Sequence, residues 1–311
     1  MAVSSAPRTA AAPSSRDARA PGSGSRRRGA ARVALLLLLP ALVVLAVFFV
    51  VPALRLLWLS VTSPELGPGN YTALVTDDIA ITVVLRTLGM AAVVTVVCLL
   101  VAYPYAYLMT IVSGRWRAVL LAVVLVPFWT SLMARTFAWV VLLQDNGVVN
   151  ALLSAVGLGP VRLLGTTAGV TLAMAQVMLP FVVLPVYTSM RGIDRRLVNA
   201  ALSLGARPVI AFLRIYLPLS FPGVAAGATL VMVLSLGFYV TPSLVGSPQQ
   251  SMLAQFISVQ VNQLVDFGAA GALAVALLVV TLVLVGGVQL LTRTRGTRAG
   301  AGAGVAGGGL V

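Results

Sequence analysis

The segment RGIDRRLVNAALSLGARPVIAFLRIYLPLSFP, residues 191–222, separates two long apolar stretches and carries five Arg. Its apolar residues recur at helical spacing in two short stripes, which Gly205 and Pro208 separate. Asp194 stands at a helix N-cap position. This pattern predicts two short amphipathic helices on a membrane face. The small residues Ala200, Ala201 and Gly205 predict a flat patch that another protein backbone could approach closely.

Apolar stretches dominate the rest of the chain. Of its 311 residues 59% are apolar and 9% are charged, and its mean hydropathy is +1.04. This composition excludes a soluble globular protein. Six stretches are long enough to cross a bilayer; they cover residues 33–51, 87–112, 118–143, 166–190, 223–246 and 267–292. We therefore predict an all-α polytopic membrane protein with six transmembrane helices between residues 33 and 292.

The first apolar stretch follows an Arg triplet and therefore has a second interpretation, a cleaved export signal. It holds nineteen uncharged residues and is not followed by a small-residue cleavage site. These features favour an uncleaved span. Residues 1–32, rich in Ala, Ser, Pro, Gly and Arg, and residues 293–311, of low complexity, are predicted to be disordered tails.

The Arg residues are distributed unequally between the two sides of the membrane. With six spans, one side receives seventeen Arg and two acids, whereas the other receives Arg162 and five acids. Because Arg is retained on the cytoplasmic side, both termini are predicted to be cytoplasmic.

Several kinds of chemistry are excluded by the residues that the chain lacks. It has no Lys for a phosphate-binding loop, no His, and Cys98 as its single cysteine. A nucleotide site, a His/Cys metal site and a disulfide framework are thereby excluded. The seven acids form no catalytic pair, so we predict that the chain is not an enzyme. A secondary transporter or channel is a further alternative, but no acid lies inside a span to bind a coupling ion.

Aromatic and polar side chains within the spans are candidates for a translocation path. Aromatic faces can hold a cation, although the same residues also serve helix packing and interfacial belts. Arg135 is predicted to face a water-filled cavity or to pair with Asp145, because an unpaired Arg inside a membrane is costly. The candidates are Trp129, Thr130, Arg135, Gln176, Phe238 and Tyr239.

Residues 199–218 resemble the signature of the MetI-like permeases, the membrane subunits of binding-protein-dependent ABC importers. That signature is Glu-Ala-Ala, three residues, Gly, nine residues, Ile, one residue and Leu-Pro. This chain matches it at the right spacing except for Asn199, which stands where the family usually has Glu; the matching residues are Ala200, Ala201, Gly205, Ile215, Leu217 and Pro218. PFWTSLMARTFAW (127–139), LLQDNGVVNALL (142–153), LPFVVLPVY (179–187) and LGFYVTPSLVG (236–246) resemble the polyamine-type branch.

The resemblance implies a MetI-like fold, an inner-membrane location, and a cytoplasmic coupling loop at residues 191–222 that docks on an ATPase. The docking residues would be Asn199, Ala200, Ala201 and Gly205, with Ile215 and Pro218 shaping the return to the membrane. The implied partners are an ATPase dimer that binds the ATP, a second permease subunit and an extracytoplasmic binding protein, with no cofactor in this chain. The implied substrate is putrescine or spermidine; thiamine, an opine or a phosphonate are the alternatives.

Overall fold

The computed structural model describes residues 37–63 and 65–301, with side chains described through residue 290. The predicted tail of residues 1–32, and the part of the second tail beyond residue 301, lie outside the described residues. Two units are distinguished, one ending at Arg55 and one beginning at Leu56. In the described part of the first unit, the large apolar side chains are exposed, as suits a lipid-facing helix.

The described residues form helices and connecting loops, without strands. The helices are α1 (Leu37–Thr62), α2 (Gly69–Thr76), α3 (Asp78–Ile111), α4 (Gly114–Leu125), α5 (Leu132–Leu142), α6 (Val148–Ala155), α7 (Thr167–Arg191), α8 (Arg195–Ser203), α9 (Pro208–Leu236), α10 (Val240–Val245), α11 (Leu253–Asn262) and α12 (Phe267–Ala301). α12 thus continues beyond residue 292, where the sequence predicts that a tail begins.

Five helices within the described residues are long and apolar enough to cross a membrane, namely α1, α3, α7, α9 and α12. The third predicted span, residues 118–143, is a pair of helices, α4 and α5, bent by 101° at a short break. The predicted span is therefore broken and does not run as one straight helix. A 3₁₀ turn, Val126–Trp129, ends α4, and Thr130 and Ser131 take extended backbone angles. The Pro127 carbonyl accepts from both the Thr130 N–H, at 3.2 Å, and the Thr130 hydroxyl, at 2.7 Å, which closes the turn at the break.

The fifth span differs from its prediction at both ends. The sequence predicts a short amphipathic helix followed by a span over residues 223–246, but α9 is one helix from Pro208 to Leu236. Pro208 lies in its first turn, where the missing N–H is not needed. The helix accommodates Pro218 beside a π-helical turn, Phe212–Tyr216, in which the Leu217 N–H donates to the Phe212 carbonyl. Gly237 then ends α9, and residues 240–245 form the separate helix α10.

α3, α7 and α9 pack against one another and form the core. α3 contributes a stripe of small side chains at every fourth residue, all fully buried: Val94, Cys98, Ala102 and Ala106. α9 approaches α7 closely at Gly227, where an added Cβ would lie 3.2 Å from the Cα of Val182. The close approach at Gly227 fixes the position of α9 against α7. These two helices flank the segment that contains α8.

Candidate functional site

α8 begins at a side-chain cap. The Asp194 carboxylate accepts a hydrogen bond from the Arg196 N–H at 2.9 Å, which confirms the predicted N-cap. Ile193 and Val198 are partly buried against the main core. α8 is therefore anchored through Val198 and through Ile193 just before its cap, and most of its other side chains are exposed.

α8 ends at Gly205 in a Schellman motif. The Gly205 N–H donates to the Leu202 carbonyl and the Ala206 N–H donates to the Ala201 carbonyl, each at 3.0 Å. Gly205 has a φ of +86°, which glycine adopts at no steric cost. An added Cβ there would meet nothing within 4 Å. The positive φ at position 205 therefore favours glycine, and the space beside this residue is open.

The surface of α8 is flat and partly apolar. Asn199, Ala200 and Gly205 are exposed and Ala201 is half-buried. Leu204 is 89% exposed. We call this set of five residues, 199–201, 204 and 205, the α8 surface. Leu197 and Leu202 of α8 are exposed as well, and neighbouring exposed apolar side chains are typical of an interaction surface.

Ile215 and Pro218 lie in α9, fifteen residues of which precede the predicted start of the fifth span. Ile215 is half-buried and Pro218 is exposed. The signature thus covers two elements, α8 and the first turns of α9.

One path candidate, Gln176, lies among other polar side chains where α5, α7 and α10 meet. The Trp139 indole N–H donates to the Gln176 side-chain oxygen at 3.3 Å. Thr136 and Thr241, whose hydroxyls lie 3.2 Å apart, are both buried. Thr136 was not predicted as a path residue, although it is a polar residue within an apolar run beside Arg135.

Arg135 makes no ion pair with Asp145, which removes one of its two predicted environments and leaves the water-filled cavity as a prediction. Its Nε atom is buried and finds no hydrogen-bond partner among the described residues. Trp129, at the α4–α5 bend, is 79% exposed, and Tyr239, before α10, is 43% exposed. Phe238 is half-buried against the main core, and Thr130 bonds within its own turn. Within the described part of the chain, no hydrogen bond or ring–ring contact joins these four candidates to one another.

Comparison with known proteins shows which family this chain resembles. Residues 102–293 match the family model described as "Binding-protein-dependent transport system inner membrane component". The spermidine/putrescine permease protein PotB of Escherichia coli is 34% identical over 233 residues, which cover 74% of this chain and 82% of PotB. The molybdenum permease protein ModB of Mycobacterium bovis is 31% identical over 226 residues, covering 72% of this chain and 84% of ModB.

The fold is also found in solved structures. A chain of a bacterial alginate ABC transporter, crystallised with a periplasmic protein bound to an alginate pentasaccharide, superposes with a TM-score of 0.71 at 19% identity. The match covers 88% of this chain and 98% of that chain. The chain described here thus belongs to the family of binding-protein-dependent transport system inner membrane components, and it is an ABC importer permease subunit of the inner membrane rather than an enzyme.

Proposed function

We propose that this permease imports polyamines of the spermidine and putrescine type, together with a second permease subunit and a dimeric ATPase that binds the ATP. The observation that carries the substrate is the 34% identity to PotB over most of both chains. Cation–π contact offers a physical means, since the rings of Trp129, in the 3₁₀ turn after α4, and Tyr239, before α10, are exposed.

The α8 surface is the proposed ATPase contact. It combines the exposed Leu204 with small side chains. Asp194 is the one acidic residue between residues 191 and 222, and its carboxylate caps α8. Asn199 replaces the acid usual at its position in the family signature, and its amide oxygen still accepts a hydrogen bond. A groove on the ATPase that receives Gly205 would have no room for a long side chain.

Substitution of Gly205 tests this contact. Gly205→Arg should leave the permease in the membrane but abolish uptake and co-purification of the ATPase. Gly205→Asn is the matched control, because Asn tolerates a positive φ and adds only a short side chain. We expect Asn to retain much more uptake than Arg. Equal uptake by the wild type and the Arg variant would contradict docking at Gly205.

A second candidate substrate, a small anion such as a phosphonate, is favoured by Arg135. Its Nε atom is unpaired among the described residues, and a guanidinium is suited to bind oxyanions. The 31% identity to ModB is compatible with this alternative. For polyamine import, the charge of Arg135 must be offset by water or by a partner subunit.

Titration of the cognate binding protein distinguishes the two substrates. Isothermal calorimetry would compare putrescine, spermidine, thiamine, 2-aminoethylphosphonate and molybdate under the same buffer conditions. We expect heat with at least one polyamine and none with the anions. Binding of an anion without binding of either polyamine would overturn the polyamine assignment, while leaving the ATPase contact untouched.

A further inference from the structure

The carboxyl end of α3 is held by two guanidinium groups from other helices. An α-helix leaves its last carbonyls without intrahelical partners, and these carry partial negative charge. Arg117 of α4 donates through Nε to the Met109 carbonyl at 3.2 Å and through Nη2 to the Val112 carbonyl at 3.4 Å. Arg195 donates through Nη2 to the Thr110 carbonyl between them. The three carbonyls are thereby satisfied by cations, the partners that a helix end favours.

Arg195 is the first residue of α8 and thus joins α8 to α3. The residue before it, Asp194, caps α8, so the guanidinium and the cap fix the same end of the helix. The two residues that the bond joins are 85 positions apart in sequence. The neighbouring Arg196 is also exposed, and no hydrogen bond from its side chain occurs among the described residues. The two Arg therefore carry equal charge but differ in contacts.

An aromatic cluster joins the same end of α3 to the first turns of α9. Tyr107 makes edge contacts with Phe212 at 5.6 Å and with Tyr216 at 5.4 Å between ring centroids. Phe212 and Tyr216 stack at 5.4 Å, and Tyr103 contacts Phe212 at 6.3 Å. The Tyr103 hydroxyl lies 3.0 Å from the Ser220 hydroxyl. Phe212 and Tyr216 both belong to the π-helical turn, in which side chains point in directions that differ from those of a regular α-helix.

We propose that Arg195 is the positioning residue that makes α8 and the carboxyl end of α3 move as one body, with the aromatic cluster passing that movement to α9. α8 is then attached to the spans at both ends, through Arg195 at its start and through residues 204–207 to α9 at its close. A force on the α8 surface would displace α3 and α9 together and would not simply bend the connecting loop. The role in coupling rests on the proposed ATPase contact, whereas the attachment itself does not.

The attachment is tested by pulsed EPR on the purified permease. Spin labels at Ser113→Cys and Ser203→Cys, both exposed positions, report the distance from the α3–α4 turn to the end of α8. Cys98→Ser removes the native thiol, and the new hydroxyl can donate to the Ala175 carbonyl that the thiol contacts at 3.5 Å. We expect one narrow distance distribution, which Arg195→Ala broadens or shifts and Arg196→Ala leaves unchanged.

The coupling role is tested in the complete transporter, reconstituted with its ATPase, second permease and binding protein. Arg195→Ala should retain the ATPase but lower the substrate imported per ATP hydrolysed by about tenfold, the factor for losing one charge-assisted hydrogen bond. Arg195→Lys should recover part of this ratio, since an ammonium can still donate to one carbonyl. Tyr107→Phe keeps the ring and should keep the ratio. Tyr107→Ala removes the ring and should lower the ratio.

Each outcome bears on a different statement. An unchanged distance distribution in Arg195→Ala would overturn the attachment. A changed distribution with an unchanged ratio of import to hydrolysis would overturn the coupling role. Loss of the bound ATPase in Arg195→Ala, with Arg196→Ala normal, would show that Arg195 acts in docking, which contradicts the positioning role but supports the proposed function.

Discussion

At the residue scale, Gly227 decides how closely α9 approaches α7. A Cβ there would lie 3.2 Å from both the Cα and the Cγ1 of Val182. Gly227→Leu should therefore lower the free energy of unfolding by about 1–3 kcal/mol through overpacking. Thermal unfolding in detergent measures this change. The control is Gly89→Leu in α3, where an added Cβ meets nothing within 4 Å; equal destabilisation of both variants would contradict the packing argument.

At the element scale, α8 is a nine-residue helix whose stability depends on its ends. Asp194→Ala removes the acceptor of the Arg196 N–H and should cost about 1 kcal/mol of helix stability. Asp194→Asn retains a capping oxygen and serves as the control. We expect uptake to fall in the Ala variant and to stay near wild type in the Asn variant, at equal membrane levels. Loss of uptake in both would instead indicate that the charge itself is required.

The bend between α4 and α5 shows what an element alone does not determine. Residues 118–143 have the length and hydropathy of one span, and Pro127 by itself permits either a kinked helix or a break. The structure has a break of 101°. α5 then packs against α10, where Thr136 meets Thr241, so the direction of α5 follows from a contact that is 105 residues distant in sequence.

At the scale of the whole molecule, the Arg distribution predicts which side each loop occupies. Single cysteines in a Cys98→Ser background test this prediction on intact cells with a membrane-impermeant maleimide. Ser154→Cys in α6 should be labelled from outside, whereas Ser203→Cys in α8 should be labelled only after the membrane is opened; both positions are exposed. The opposite pattern would reverse the predicted orientation and would place the α8 surface away from any cytoplasmic ATPase.

The sequence by itself determined the membrane class, the family and the approximate positions of the spans, because these depend on local hydropathy and on the spacing of a short signature. It also predicted the Asp194 cap, since an N-cap is formed by residues adjacent in the chain. The joining of the second signature helix to the fifth span, the bend at residues 126–131 and the absence of an Arg135–Asp145 pair were decided only by tertiary structure. Packing against distant helices determines where a helix continues, where it breaks and where its charged side chains lie. Two contacts show this, Arg195 with Thr110 and Thr136 with Thr241. Each joins residues too far apart in sequence for a local pattern to indicate the contact.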